Sequence, residues 1–83
     1  MIINYVEDER ELSDLISKYL KNEGYTVNNF YTGDDAIDHI SDDADLWILD
    51  IMLPGVVNGF DLLKKIKEHN PETLVIFTSA RNS

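Results

Sequence analysis

The chain contains no cysteine, which excludes a disulfide framework and any thiolate-held zinc. It is also short of bases: seven stand against sixteen acidic residues, a net charge of −9. Affinity for nucleic acid or anionic lipid rests on neutralising phosphate charge, so this segment is expected to engage neither nucleic acid nor membrane. No apolar run approaches the roughly 18–20 residues that span a bilayer, and no signal peptide opens the chain. Because a strand-like run follows Met1 almost at once, little is expected to precede the fold. These absences fit a cytoplasmic location. Internal repeats, low-complexity tracts and linkers are missing too.

What remains is ordinary for a folded protein, with 43% hydrophobic and 28% charged residues. At 83 residues the chain is one domain or part of one. A domain this small buries only about 60–65% of its unfolded surface, which leaves a thin margin of stability.

Two kinds of segment alternate. Ile2-Ile3-Asn4-Tyr5-Val6 is a short, mostly apolar run ending in Glu7-Asp8-Glu9. Leu12, Leu15, Ile16, Tyr19 and Leu20 then recur at helical spacing, and Gly24 is a natural helix stop. Tyr25 to Tyr31 reads as a strand whose polar middle suits an edge. Thr32-Gly33-Asp34 is a turn and helix cap, and Ala36, Ile37 and Ile40 give a short second helix its inward face. Leu46-Trp47-Ile48-Leu49 is apolar throughout, as a central parallel strand should be. Pro54, Gly55 and Gly59 mark a loop, Phe60, Leu63 and Ile66 a third helix, and Leu74-Val75-Ile76-Phe77 a fourth strand ending at Thr78. This βαβαβαβ order predicts an α/β fold with a parallel sheet and right-handed crossovers. Trp47 reads as core, and His39 and His69 as solvated surface residues.

Ligands of open parallel sheets gather outside the carboxyl ends of the strands. The first strand exits into Glu7-Asp8-Glu9, the third into Asp50 and the fourth into Thr78-Ser79. Carboxylates meeting at one sheet edge repel one another, and a hard divalent cation such as magnesium relieves that repulsion better than protons do. Beside such a cation a carboxylate can attack phosphorus and form an acyl phosphate. Each residue taken alone has a plainer explanation. Glu7, Asp8 and Glu9 would favour a helix N-terminus, Asp50 could serve a turn, and Thr78 is a common strand residue. Their joint position on three strand exits favours the site.

These residues resemble the receiver domain of two-component response regulators. Val6-Glu7-Asp8-Glu9 resembles that family's acidic pocket, Leu49-Asp50-Ile51-Met52-Leu53-Pro54-Gly55 its phospho-acceptor segment, and Phe77-Thr78-Ser79-Ala80 its switch-hydroxyl segment. The turns Gly24-Tyr25 and Thr32-Gly33-Asp34-Asp35-Ala36 match as well. The resemblance implies a three-layer, doubly wound, flavodoxin-like fold. It further implies that Asp50 receives a phosphoryl group from a sensor histidine kinase. Asp8 would ligate Mg2+ directly, with Glu7 assisting through water, Asp50 itself, and the backbone carbonyl of Met52 completing the protein ligands. Thr78 would move toward the phosphoryl group as the switch. Transfer and later hydrolysis are partly self-catalysed in this family, so whether the chain counts as an enzyme is a matter of definition.

Three departures stand out. Val56-Val57-Asn58-Gly59 is one residue longer than the usual proline-to-glycine spacing, which should alter the loop and spare the ligands. Asn4 occupies a strand position that is usually apolar, and needs a buried partner or costs about 1–3 kcal/mol. The family also continues past the equivalent of Ser83 through a helix, a fifth strand and a last helix, the strand supplying a lysine and an aromatic residue. Residues 1–83 are therefore expected to be a partial receiver domain lacking the last α-β-α, with the fourth strand an apolar edge open to self-association. The competing readings are a phosphorylation-independent interaction module or inactive fragment, and an aspartate-nucleophile phosphatase. The last is opposed by Met52, which stands where those enzymes carry a second acid.

Overall fold

The computed structural model describes residues 1–78. Four five-residue strands, β1 (Ile2–Val6), β2 (Thr26–Phe30), β3 (Leu46–Asp50) and β4 (Leu74–Thr78), alternate with helices α1 (Arg10–Asn22), α2 (Gly33–Ile37) and α3 (Gly59–His69). All neighbouring strands are parallel, in the order β2-β1-β3-β4. The chain winds outward from β1 to β2, then returns past β1 to β3. The direction of winding thus reverses between β1 and β3, where a doubly wound sheet opens its crevice. The alternation and the edge position of β2 are as the sequence predicts.

Strand register divides the sheet into two faces. On one, Ile3, Tyr5 and Val27 pack with Ile16 and Leu20 of α1. On the other, Val6, Trp47 and Leu49 pack with Ala36, Leu62 and Ile66 from the second and third helices. Trp47 is core, 1% exposed and stacked on Phe30 at 6.2 Å. No described helix is long and apolar enough to cross a membrane.

The inward stripes of two helices differ from those expected. In α1 the buried residues are Ser13 and Ser17, flanked by Ile16 and Leu20, while Leu15 and Tyr19 are 67% and 64% exposed. The cause is polar. Asn29 of β2 donates to the hydroxyls of Ser13, at 2.8 Å, and of Ser17, drawing the serine line of the helix onto the sheet. Arg10 and Asp14, which contact Tyr31 beyond β2, occupy one flank of α1, and Leu15 and Tyr19 the other. In α3 the buried line is Gly59, Leu62 and Ile66, whereas Phe60 is 58% exposed, its ring 5.5 Å from that of Phe77. Gly59 sets that phase by lying against the Asp50 carbonyl. The helix α2 ends at Ile37, so Ile40 packs on the core from the following turn.

The terminators behave as their chemistry dictates. Gly24, at φ +96°, follows the last turn of α1, and the N–H groups of Gly24 and Tyr25 reach the carbonyls of Lys21 and Leu20. That is a Schellman cap, which a Cβ would strain. Asn4 is fully buried and finds one partner, accepting from Asn28 Nδ2 at 2.9 Å, while its own Nδ2 has none among the described residues. His39 and His69 are exposed as expected.

Candidate functional site: a carboxylate cluster at the switch point

Pairing of Val6 with Leu49 brings the exit of β1 alongside the exit of β3. Glu7 and Asp8 follow the one strand and Asp50 ends the other. Carboxylate oxygens of the three lie within 4.8 Å of one another. Glu7 and Asp50 are each 1% exposed, and Asp8 is half-buried. Glu7 Oε2 accepts the Glu9 N–H at 3.2 Å, and Asp50 Oδ1 accepts the Met52 N–H at 3.1 Å. The second oxygens, Glu7 Oε1 and Asp50 Oδ2, are buried without a donor among the described residues. The acidic run therefore splits: Glu7 and Asp8 enter the cluster, while Glu9 occupies the exposed N-cap of α1 and makes no side-chain cap bond. The capping explanation thus accounts for Glu9 by position and leaves Glu7 and Asp8 unexplained.

The electrostatics follow from this crowding. Burial pushes Glu7 up from an ordinary 4.5 to about 7, and the neighbouring Asp50 charge with side-chain contacts to Asp8 and Asp50 adds to it, against the Glu9 N–H. Tyr5, directly below on β1, is pushed up to about 12 by burial and by Glu7, Asp50 and Glu9. Such a cluster suits a hard cation with oxygen ligands. Two buried carboxylate oxygens lacking donors are what a cation, or a proton on one of them, would satisfy.

The elevated Glu7 value carries a sign for stability. Between its ordinary value and about 7 the folded chain holds a proton that the unfolded chain has already lost. Stability from this group is therefore greatest below that window and falls as pH rises through it. In EDTA the Tm should decline between about pH 5 and about pH 8, and Mg2+ should raise it much more at the upper pH, where no proton competes. Glu7→Gln should flatten the EDTA profile. A wild-type profile already flat would remove the buried, neutral Glu7.

Thr78 pairs with Asp50 across β3 and β4, but its hydroxyl donates to the Leu49 carbonyl at 3.4 Å, a long bond, and not to the carboxylate. Ser79 and Ala80 lie outside the described residues. Met52 sits in the bend after β3 with its side chain 63% exposed. With Asp8, Pro54, Asn58 and Phe60 it lines an open cavity of about 550 Å³ beside the cluster. Two neighbours were not anticipated. A Cβ on Gly59 would stand 2.5 Å from the Asp50 carbonyl oxygen, and Asp34 of α2 accepts the Val57 N–H of the same loop at 3.0 Å. Neither contact has a sequence signal, because each joins residues through the backbone of one partner.

Comparison with known proteins is consistent in every direction. Residues 3–83 match the response regulator receiver domain family. Transcriptional regulatory protein CssR of Bacillus subtilis is 47% identical over 81 residues, covering 98% of this chain and 36% of CssR. The chain thus spans about a third of the length of that curated relative. The non-phosphorylated HemR receiver domain from Leptospira biflexa superposes with a TM-score of 0.89 at 29% identity, covering 99% of this chain and 66% of that one. TrrA from Thermotoga maritima, whose structure was solved in complex with Mg2+-BeF, superposes with a TM-score of 0.87 at 29% identity, covering 98% and 70%.

Proposed function

The chain belongs to the response regulator receiver domain family, and from that premise we propose that it is a magnesium-dependent phospho-acceptor switch with Asp50 as the acceptor. One observation carries the proposal. An acid buried at the switch point has one carboxylate oxygen held by the Met52 N–H and the other without a donor among the described residues, beside two further carboxylates. The free oxygen is the nucleophile. It attacks the phosphorus of a phosphohistidine on a sensor histidine kinase; the new O–P bond forms as the P–N bond breaks, and the leaving imidazole takes a proton from solvent. Asp8, Asp50, Glu7 (through water) and the Met52 carbonyl would hold Mg2+. When bound, the ion would offset charge on the phosphoryl oxygens and between the carboxylates. Burial of Glu7 and Asp50 excludes bulk water from one side of the acceptor. Thr78, one strand over, would exchange its long bond to the Leu49 carbonyl for one to a phosphoryl oxygen. The later hydrolysis uses the same residues, so the chain serves as both reagent and site. A cytoplasmic location belongs to the same proposal.

Acetyl phosphate with Mg2+, followed by intact-mass measurement, tests this without knowledge of the kinase. One phosphoryl adduct on the folded chain supports the reading, and none on a chain shown to be folded by circular dichroism sinks it.

Residues 1–83 are further proposed to form part of a receiver domain that self-associates through β4. Leu74 and Ile76 are 64% and 52% exposed on that edge strand. Sedimentation velocity should show reversible association that rises with concentration, and Ile76→Lys should leave a monomer. A wild-type chain that stays monomeric at high concentration would end this part of the proposal.

A further inference from the structure

The loop between β3 and α3 is tied down at its start and, through two adjacent residues, at its end. At its start the Met52 N–H donates to Asp50 Oδ1. At its end Asn58 and Asp61 form a reciprocal capping box, each bond 3.0 Å long. The residue just before that box is tied to another element. The Val57 N–H donates at 3.0 Å to Oδ1 of Asp34, in the first turn of α2. The surrounding backbone is fitted to that contact. Gly33 lies so close to the Val57 carbonyl that a Cβ would stand 2.1 Å from its oxygen. Gly55, at φ +91°, faces the Asp34 carboxylate, with an ideal Cβ 3.1 Å from Oδ1.

Asp34 is not needed as the cap of its own helix, because Thr32 already accepts the Asp35 N–H at 3.0 Å. The loop is otherwise held by two apolar side chains, buried Leu53 and half-buried Val57, which pack on the core. Val56 is 86% exposed, and Leu53, 8% exposed, is the one fully inserted apolar anchor between Asp50 and Asn58. It is also the stretch whose length departs from the usual spacing.

We propose that Asp34 is a positioning residue for the carboxylate cluster: by fastening Val57 it fixes the path of residues 51–57, and with it the Met52 backbone beside Asp50. The inference rests on the magnesium-dependent reading of that cluster. Loss of the tie leaves the carboxylates in place but frees the loop segment that would complete the ligands, so the effect falls on cation affinity and not on the acceptor.

Isothermal titration of Mg2+ into the wild-type chain, Asp34→Ala and Asp34→Asn tests this, with thermal melts confirming that each is folded. Asp34 is exposed, so the melts should differ little. Asp34→Ala should weaken Mg2+ binding about five- to tenfold, within the range of an ordinary net hydrogen bond, because the bond to Val57 is exposed. Asp34→Asn keeps an accepting Oδ1 and should stay within about twofold of the wild type. With acetyl phosphate, Asp34→Ala should lag at limiting Mg2+ and reach the wild-type rate at saturation. Equal affinities for the wild type and Asp34→Ala would overturn the inference, as would an Asp34→Asn variant as weak as Asp34→Ala, since charge and not the bond would then be responsible. A wild-type chain that binds no Mg2+ would show in its own titration and would remove the metal reading together with this inference.

Discussion

Asp50→Asn is expected to take up no phosphoryl group from acetyl phosphate under conditions in which the wild-type chain gains one. The asparagine amide has the shape of the carboxylate, and its oxygen can still accept the Met52 N–H that now reaches Asp50 Oδ1 at 3.1 Å. What disappears is the carboxylate oxygen without a donor among the described residues, the proposed nucleophile. The loss should be complete, because Glu7, the other fully buried acid of the cluster, is pushed by burial toward its protonated form. The same substitution has a second consequence that separates lost chemistry from lost folding. Asp50 contributes to the elevation of Glu7, so its neutralisation should lower the Glu7 pKa and raise the Tm in EDTA near neutral pH. A variant that is more stable yet inert identifies the acceptor. An adduct that persists in Asp50→Asn would place the acceptor elsewhere.

Gly59→Ala should be strongly destabilising, because it sets a methyl group against the exit of β3. The added methyl would stand 2.5 Å from the Asp50 carbonyl oxygen, 3.1 Å from Ile51 Cα and 3.2 Å from the Phe77 ring. Two of those three are backbone at the end of a buried strand, which cannot rotate aside as a side chain could. Either α3 or the exit of β3 must shift. Overpacking of this kind costs about 1–3 kcal/mol, more than the roughly 0.5–1 kcal/mol that alanine gains over glycine within a helix. Net of that gain, up to about 2.5 kcal/mol remains, which in a domain of this size lowers the Tm by up to about 20 °C. Thermal unfolding by circular dichroism reads it directly. A melt within about 1 °C of the wild type would mean that α3 does not approach β3 so closely.

The parts of this fold that were legible in the sequence are those set by local chemistry. The apolar run Leu46–Leu49, the polar edge strand around Asn28 and Asn29, the Gly24 stop and the Thr32 cap each announce themselves within a few residues. So do the strand exits that bring Glu7, Asp8 and Asp50 together, since parallel order alone sends them to one edge. The helix faces were legible only in part, because their phase is set at a distance. Leu15 and Tyr19 suit an inward stripe by spacing, yet Asn29, on another element, turns Ser13 and Ser17 inward. Phe60 is the most apolar residue at the start of α3, but the fit of Gly59 against Asp50 decides the rotation. The Asp34–Val57 bond was invisible for the same reason, because a bond to a backbone N–H leaves no mark on the identity of residue 57.

The placement of Trp47 has a practical consequence. It is the only tryptophan in the chain, and its side chain is stacked on Phe30 within the core on the α2–α3 face. Asp50 stands three residues along the same strand, and strand alternation turns it to the opposite face. Indole emission should therefore shift sharply when the domain melts and barely respond when a cation or phosphoryl group arrives. The molecule carries an optical gauge of its own integrity that is blind to the state of its site.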